Sequence, residues 1–501
     1  ARKNKDTELD NAIKAEAEAR KNKDTELDNA IKAEAEARKN KDNDLKQSID
    51  ALEIKINNFK DSTFTNVSDY GVKPELADAT TKINQMITEI GGKVTSVWFT
   101  ETININGEVT FPANIDVGFN GGRIAIGANG KVTINGAVIA GRRQIFTGAT
   151  NTNLVIENST TPVFVPEWFN NTDIQLAIDL GHYVSLGAKD YFINGTITIN
   201  KSNFSMYGYG PNTEGANKAT RLVFQTGNLL IGDTSGNIVN NFPRDIRVGK
   251  LTINPQDKTL AAMSVNGVIN GLFEDMHIDS FAATDGILCV KNVHTYYKNI
   301  YIQSTNQSYF KGFHCGIEDN PILAGNNASL YFENCGYVCA ITNGAENHTV
   351  GWFVRGASSD LYLNGCETTE AGDGIDIQDS SRQINDVLID NCIFDACSNY
   401  GMFFGALTGG GTIQIANTYI ANKSSSTAPL FLVTNGTNTM FLINGLECLC
   451  TNTTVNGINW ASASAHGIIT AAITGGSDPI VGTKNNLKGF YSHNGAVVAL
   501  A

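Results

Sequence analysis

Three carboxylates, Asp279, Glu333 and Asp390, stand at the fourth place of a short phrase whose second place holds His277, Tyr301, Tyr331 or Tyr362 in turn. Paired carboxylic acids are the working parts of glycosidic hydrolysis: one protonates the leaving oxygen, the other activates water or attacks carbon. Aromatic rings lie against the C–H faces of sugars, and amides such as Asn364 and Gln303 bind sugar hydroxyls. Glu333 and Asp390 are two phrases apart with Asn364 between them, and Asp279 and Glu333 repeat that spacing around Gln303. Strands stacked two apart place their backbones about 9.6 Å from one another. Inverting hydrolysis uses a separation of roughly 6.5–9.5 Å. Glu333, flanked by Tyr331 and Tyr362, is the expected proton donor, because aromatic cover raises a carboxyl pKa. Asp390 or Asp279 would then activate the water.

A second acidic cluster lies in ETTEAGDGIDIQD, with Glu367, Glu370, Asp373, Asp376 and Asp379. The register places Asp376 outward, two coils from His314, with Glu367 and Glu370 at the edge of the same groove. GWFVRG follows His348 and supplies Trp352 and Arg355 on opposite faces of one strand. Arg355 suits a substrate carboxylate. With His314, His277 or a tyrosine as base, it would serve β-elimination on a uronic acid polymer instead of hydrolysis. The acids do not follow a calcium-loop spacing, and no nucleophile elbow, phosphate loop or zinc motif occurs. No metal and no cofactor is expected.

These residues need elements that line them up. The phrase returns eight times, as LTIN at 251, MHID at 276, IYIQ at 300, LYFE at 330, LYLN at 361, VLID at 387, IQIA at 413 and FLIN at 441. First and third places are apolar, which is the period of a strand with one buried face. Steps of 24 to 31 residues mark a solenoid. A glycine-led run follows in most intervals: GILCV at 286, GFHCGIE at 312, GYVCAIT at 336, GIDIQD at 374 and GMFFG at 401, with GWFVRG at 351 as a third run. Three short strands per coil describe a right-handed parallel β-helix, an all-β fold. Cys289, Cys315 and Cys339 are expected to form one inward ladder, and Cys335, Cys366 and Cys392 another.

Residues 1–36 are two copies of ARKNKDTELDNAIKAEAE, and a third copy starts at Ala37. Eighteen residues make five helical turns, so Leu9, Ile13, Leu27, Ile31, Leu45 and Ile49 fall on one seam, continued by Leu52, Ile56 and Phe59. So narrow an apolar stripe on so charged a helix needs partner helices, and a coiled-coil stem over 1–60 is expected. A small β-rich head with a capping helix is expected over 61–165. Over 166–501 a second capping helix would lead into the β-helix that carries the polysaccharide site. The net charge of −13 argues against nucleic acid as a partner. No apolar run reaches the roughly 18 residues of a membrane span, and no signal peptide opens the chain. Nine cysteines, six of them at ladder positions, read as free thiols.

DYGVKP, at 69–74, resembles the start of pectate-lyase-like β-helix proteins. EVTFPANIDVGFNGGRIAIG, VTINGAVIAGRRQIFTG and VFVPEWF are similar to the head region of bacteriophage tailspikes and capsule depolymerases. The likeness covers about residues 61–210 in wording and the remainder by coil pattern. It implies a homotrimer, attachment to a phage tail or baseplate through a preceding part, and action on a bacterial surface polysaccharide at the virion tail. Family members differ in their catalytic residues, so none is transferred. Besides hydrolysis by paired carboxylates, the sequence leaves open a lyase, a non-catalytic receptor-binding fibre, and a site shared between subunits.

Overall fold

A computed structural model describes residues 2–61, 64–211, 219–233, 242–256, 259–280, 283–304, 309–316, 327–339, 349–355, 360–378, 386–405, 407–408, 411–434 and 436–500. His348 and Asp379 lie outside the described residues, as do the side chains of Leu52, Ile56 and Phe59. Helix α1 (Arg2–Asp61) is continuous. Four i,i+4 ion pairs, such as Arg20–Glu16 and Arg38–Glu34 at 2.9 Å, run along it. Exposed pairs of this kind contribute only a few tenths of a kcal/mol each. The seam residues Leu9 to Ile49 stand 45–62% exposed. No helix among the described residues is long and apolar enough to cross a membrane.

Helix α2 (Thr80–Ile90) buries Ile83, Met86 and Ile90 against the first coils. Those coils are already helical in the β sense. Val97 pairs with Val117 and then Val138, Ile103 with Ile124 and then Phe146, and Val109 with Val132 and then Leu154, all in parallel. Helix α3 (Ile174–Leu180), capped by Asp173, follows. One core of buried apolar side chains then runs from Val67 to Tyr491.

From residue 183 onward the coils are longer and build two large sheets, of 19 and 11 strands among the described residues, with a small two-stranded one at Leu407–Thr408 and Gly436–Thr437. The strands stack in parallel as in a β-helix, except that the last, Ala496–Leu500, turns back antiparallel on Leu487–His493. Each coil gives two segments to the first sheet and one to the second. The corner between the first two segments is a single residue in the left-handed region: Asp275, Asn299, Asn334, Gly365, Asn391, Asn417 and Gly445 have φ of 46–74°. Asn, Asp and Gly tolerate that conformation best. The side chains also bond along the stack: Asn299 Nδ2 donates to Asp275 Oδ1 at 2.9 Å and Asn417 Nδ2 to Asp390 Oδ1 at 3.1 Å.

This corner corrects the expected single ladder of eight phrases. Leu251, Met276 and Ile300 stack, but Tyr301 then pairs with Gly336, and Leu330 pairs with Thr295. Leu330, Leu361, Val387, Ile413 and Phe441 form a separate stack. The phrases therefore occupy two neighbouring segments, because TYYK at 295–298 also alternates and takes the slot beneath Leu330. GYVC at 336 likewise belongs to the first sheet, and GWFVRG fills the second-sheet position expected for it. Cys339 accordingly pairs with Ser304, and Cys315 with Cys289 below and Val354 above, so the first cysteine ladder has two members. Cys335, Cys366 and Cys392 do adjoin, with burial and mutual hydrogen bonds pushing the Cys366 and Cys392 thiols up. All nine cysteines are free and buried.

The recurring glycine of the second sheet has a steric cause. A Cβ on Gly286, Gly312, Gly351 or Gly374 would lie 2.4–2.8 Å from the carbonyl oxygen of the glycine one coil on. No other residue fits there.

Candidate functional site

The expected site residues fall on three outward faces and, in one case, in the core. On the first segment, Tyr296, Tyr331 and Tyr362 stack ring on ring, at 4.4 Å and 8° and then 4.8 Å and 5°. Ring faces so close cover one another, leaving edges to solvent. This is a side-chain ladder more than a sugar platform. Two residues along, Lys298, Glu333, Asn364 and Asp390 form one column as the spacing predicts, with Asp390 two coils above Glu333. Lys298 Nζ sits 3.2 Å from Glu333 Oε1, and that carboxylate is half exposed. Glu333 is therefore not enclosed as a proton donor would be, and Asp279 belongs to another column. Pairing Asp279 with Glu333 around Gln303 is thus overturned.

The second segment brings His277, Asp279, Tyr301 and Glu367 onto one wall. Asp190, Arg221, Thr252, His277, Tyr301, Gly336 and Glu367 share a column, and Asn254, Asp279 and Gln303 share the next. Burial raises the Asp279 carboxyl above its ordinary 3.8, against the charges of His277 and Arg221 and a hydrogen bond from Asn254 Nδ2 at 3.4 Å. The His277 and Tyr301 rings are 5.4 Å apart. Tyr301 is 38% exposed, and burial followed by the charge of Glu367 raises its phenol. Gly336 explains that last contact. It leaves a notch into which both neighbours fold: a Cβ there would lie 3.1 Å from Glu367 Oε1 and 3.2 Å from Tyr301 Cδ2. The Glu367 carboxylate therefore leans down one coil, toward Tyr301. Glu370 occupies a left-handed corner (φ 59°) at the edge of this wall.

Sequence reasoning missed Asp190, Arg221 and Gly336. Arg221 is bidentate on Asp190, at 3.1 and 2.8 Å. RLVF at 221–224 alternates, with Leu222 and Phe224 inward and Arg221 and Val223 outward, one coil before LTIN, and that alternation was the available signal.

On the second sheet, His314, Phe353 and Asp376 stack as outward neighbours, two coils from His314 to Asp376 as expected. Yet all are engaged. Arg355 is bidentate on Asp376 at 3.1 and 2.8 Å, lies 3.6 Å over the Phe353 ring and is buried. It does not face a substrate carboxylate. His314 Nδ1 is 3.1 Å from Asp285 Oδ1, which also faces Lys311. Beside them burial raises Asp373 to about 7, with the charge of Asp376 adding to the effect. Trp352, expected at a groove, is fully buried in the core and stacks on Phe313 at 4.9 Å. Its strand alternates with Arg355 on the other face, so an inward tryptophan is what the register dictates.

No family model and no curated protein matches the sequence. Structural neighbours include a bacteriophage tailspike protein, a further viral protein and mannuronan C-5 epimerase modules. The A-module of the mannuronan C-5 epimerase AlgE6 of Azotobacter vinelandii is 11% identical, over 86% of this chain and 99% of that one, at a TM-score of 0.31. Tailspike protein 3 of bacteriophage CBA120 is 12% identical, over 86% and 54%, at 0.28. ORF18 of Geobacillus virus E2 is 15% identical, over 64% and 57%, at 0.34. The chain thus spans little more than half of either viral protein. At such scores these likenesses assign no residue and no reaction.

Proposed function

We propose that the chain is part of a bacteriophage tailspike that binds a bacterial capsular or O-antigen polysaccharide and cuts it by endo-glycosidic hydrolysis. Asp279 is the proton donor and Glu367 the partner carboxylate that activates water. The observation that carries this reading is the half-buried Asp279 carboxyl, held above its ordinary range on an outward wall that also presents Tyr301 and Glu367. A donor must hold its proton into the working range, and burial acts on Asp279 in that direction. Glu367 is exposed, three coils above Asp279 by backbone and nearer by side chain. Three coils are about 14 Å of backbone, and the Glu367 carboxylate, leaning back toward Tyr301, shortens that gap in the direction of the roughly 6.5–9.5 Å that inversion uses.

The wall also speaks against elimination. Arg221 is taken by Asp190 and Arg355 by Asp376, so neither arginine stands ready to neutralise a uronate. The exposed seam of α1 supports pairing with copies of itself, a homotrimer, with the stem directed toward the phage tail. The test is the product. New reducing ends without an ultraviolet-absorbing unsaturated sugar support hydrolysis, and an unsaturated product overturns it. Binding without either product would make the chain a receptor-binding fibre.

A further inference from the structure

We infer that the cleft around Phe192, at the foot of the same wall, is a sugar subsite that holds a neutral residue of the polymer about three coils from the point of cleavage. The strand Asp190–Asn194 alternates strictly: Tyr191 and Ile193 point into the core, and Asp190, Phe192 and Asn194 point out. Phe192 shares its column with Val223, Asn254 and Asp279, one coil each. Three steps of about 4.8 Å set the ring about 14 Å from Asp279 along the wall.

Phe192 is 68% exposed. A phenyl ring standing this far into water on a polar wall gains by being covered, and the C–H face of a pyranose is a flat apolar cover. Around it opens a cleft of about 620 Å³, lined by Asn170, Asn171, Lys189, Asp190 and Asn194 among others. That volume is ordinary for a small-ligand site, and one apolar surface ringed by amides is what a hydroxylated ring requires. The charges decide which sugar. Lys189 Nζ lies 3.0 Å from Glu167 Oε1, and Arg221 is held bidentately by Asp190. Among the described residues of this cleft, no cation is left for a sugar carboxylate, so the unit bound is neutral.

The inference rests on the chemistry being placed at Asp279, and the experiment separates the two. The whole protein and its Phe192→Ala, Phe192→Tyr and Asp279→Asn variants are applied to an array of bacterial surface polysaccharides, neutral and uronate-bearing. Melting curves confirm that each variant is folded. The expected result is retention of at least one neutral polysaccharide by the parent and by Asp279→Asn, a loss of at least tenfold for Phe192→Ala, and recovery in Phe192→Tyr. Equal binding by Phe192→Ala, binding of uronate polymers alone, or no binding at all overturns the subsite. A Phe192→Ala loss beside an Asp279→Asn variant that still cleaves supports the subsite and overturns the placement of the chemistry.

Discussion

At the scale of single residues, the second-sheet cluster makes the sharpest statements. Asp373 has an ordinary value of 3.8 and is raised to about 7 in the folded chain. Between those values the native state holds a proton that the unfolded state has released, so stability falls as pH rises through that window and is level above it. Asp373→Asn should flatten the fall and leave the variant more stable than the parent at pH 8, by on the order of a few kcal/mol. Chemical denaturation at pH 4, 6 and 8 measures this, and an unchanged slope would refute it. Arg355→Ala leaves the Asp376 carboxylate buried without its bidentate partner. A loss of about 3–5 kcal/mol is expected, largely recovered when Asp376→Asn is added. The double-mutant cycle fails the account if the two losses simply add.

At the scale of elements, the glycine column tells how much was legible. The period, the inward apolar places and the two short helices could be read directly, since alternation and helical spacing are local. What could not be read was which of two alternating segments a phrase occupies. The αL corner between them takes one residue, and Asn299 or Asn334 looks like any turn asparagine. That ambiguity moved Tyr301 away from Tyr331 and separated Asp279 from Glu333, while the Glu333–Asn364–Asp390 column survived because no slot is skipped there. His314, Asp376 and Arg355 sat where the register put them, but their mutual pairing depends on side chains from successive coils. Gly351→Ala tests the packing argument: its Cβ would come 2.1 Å from Thr368 Oγ1 and 2.5 Å from the Gly374 carbonyl oxygen. We expect a drop in melting temperature of several degrees or no folded protein. Gly92→Ala, where a Cβ would meet nothing within 4 Å, serves as the control.

At the scale of the whole molecule, two exposed apolar features call for partners of different kinds. The α1 seam repeats every 18 residues over a helix that buries none of it, with Leu27 and Ile31 at 60% and 57% exposure. In the proposed homotrimer self-association along that seam covers it, and Leu27→Asp with Ile31→Asp should then convert a trimeric mass to a monomeric one by light scattering. An unchanged mass would contradict the stem. The wall from Phe192 to Glu367, by contrast, is where we propose that a polymer binds. On that proposal the chemistry turns on the Asp279 carboxyl, which burial raises above its ordinary value, so cleavage should decline as rising pH removes that proton. The most direct measurement is the rate of reducing-end release by Asp279→Asn from a polysaccharide that the parent binds. A fall of about 100-fold or more, with binding intact, is predicted; a rate equal to the parent's would contradict the assignment.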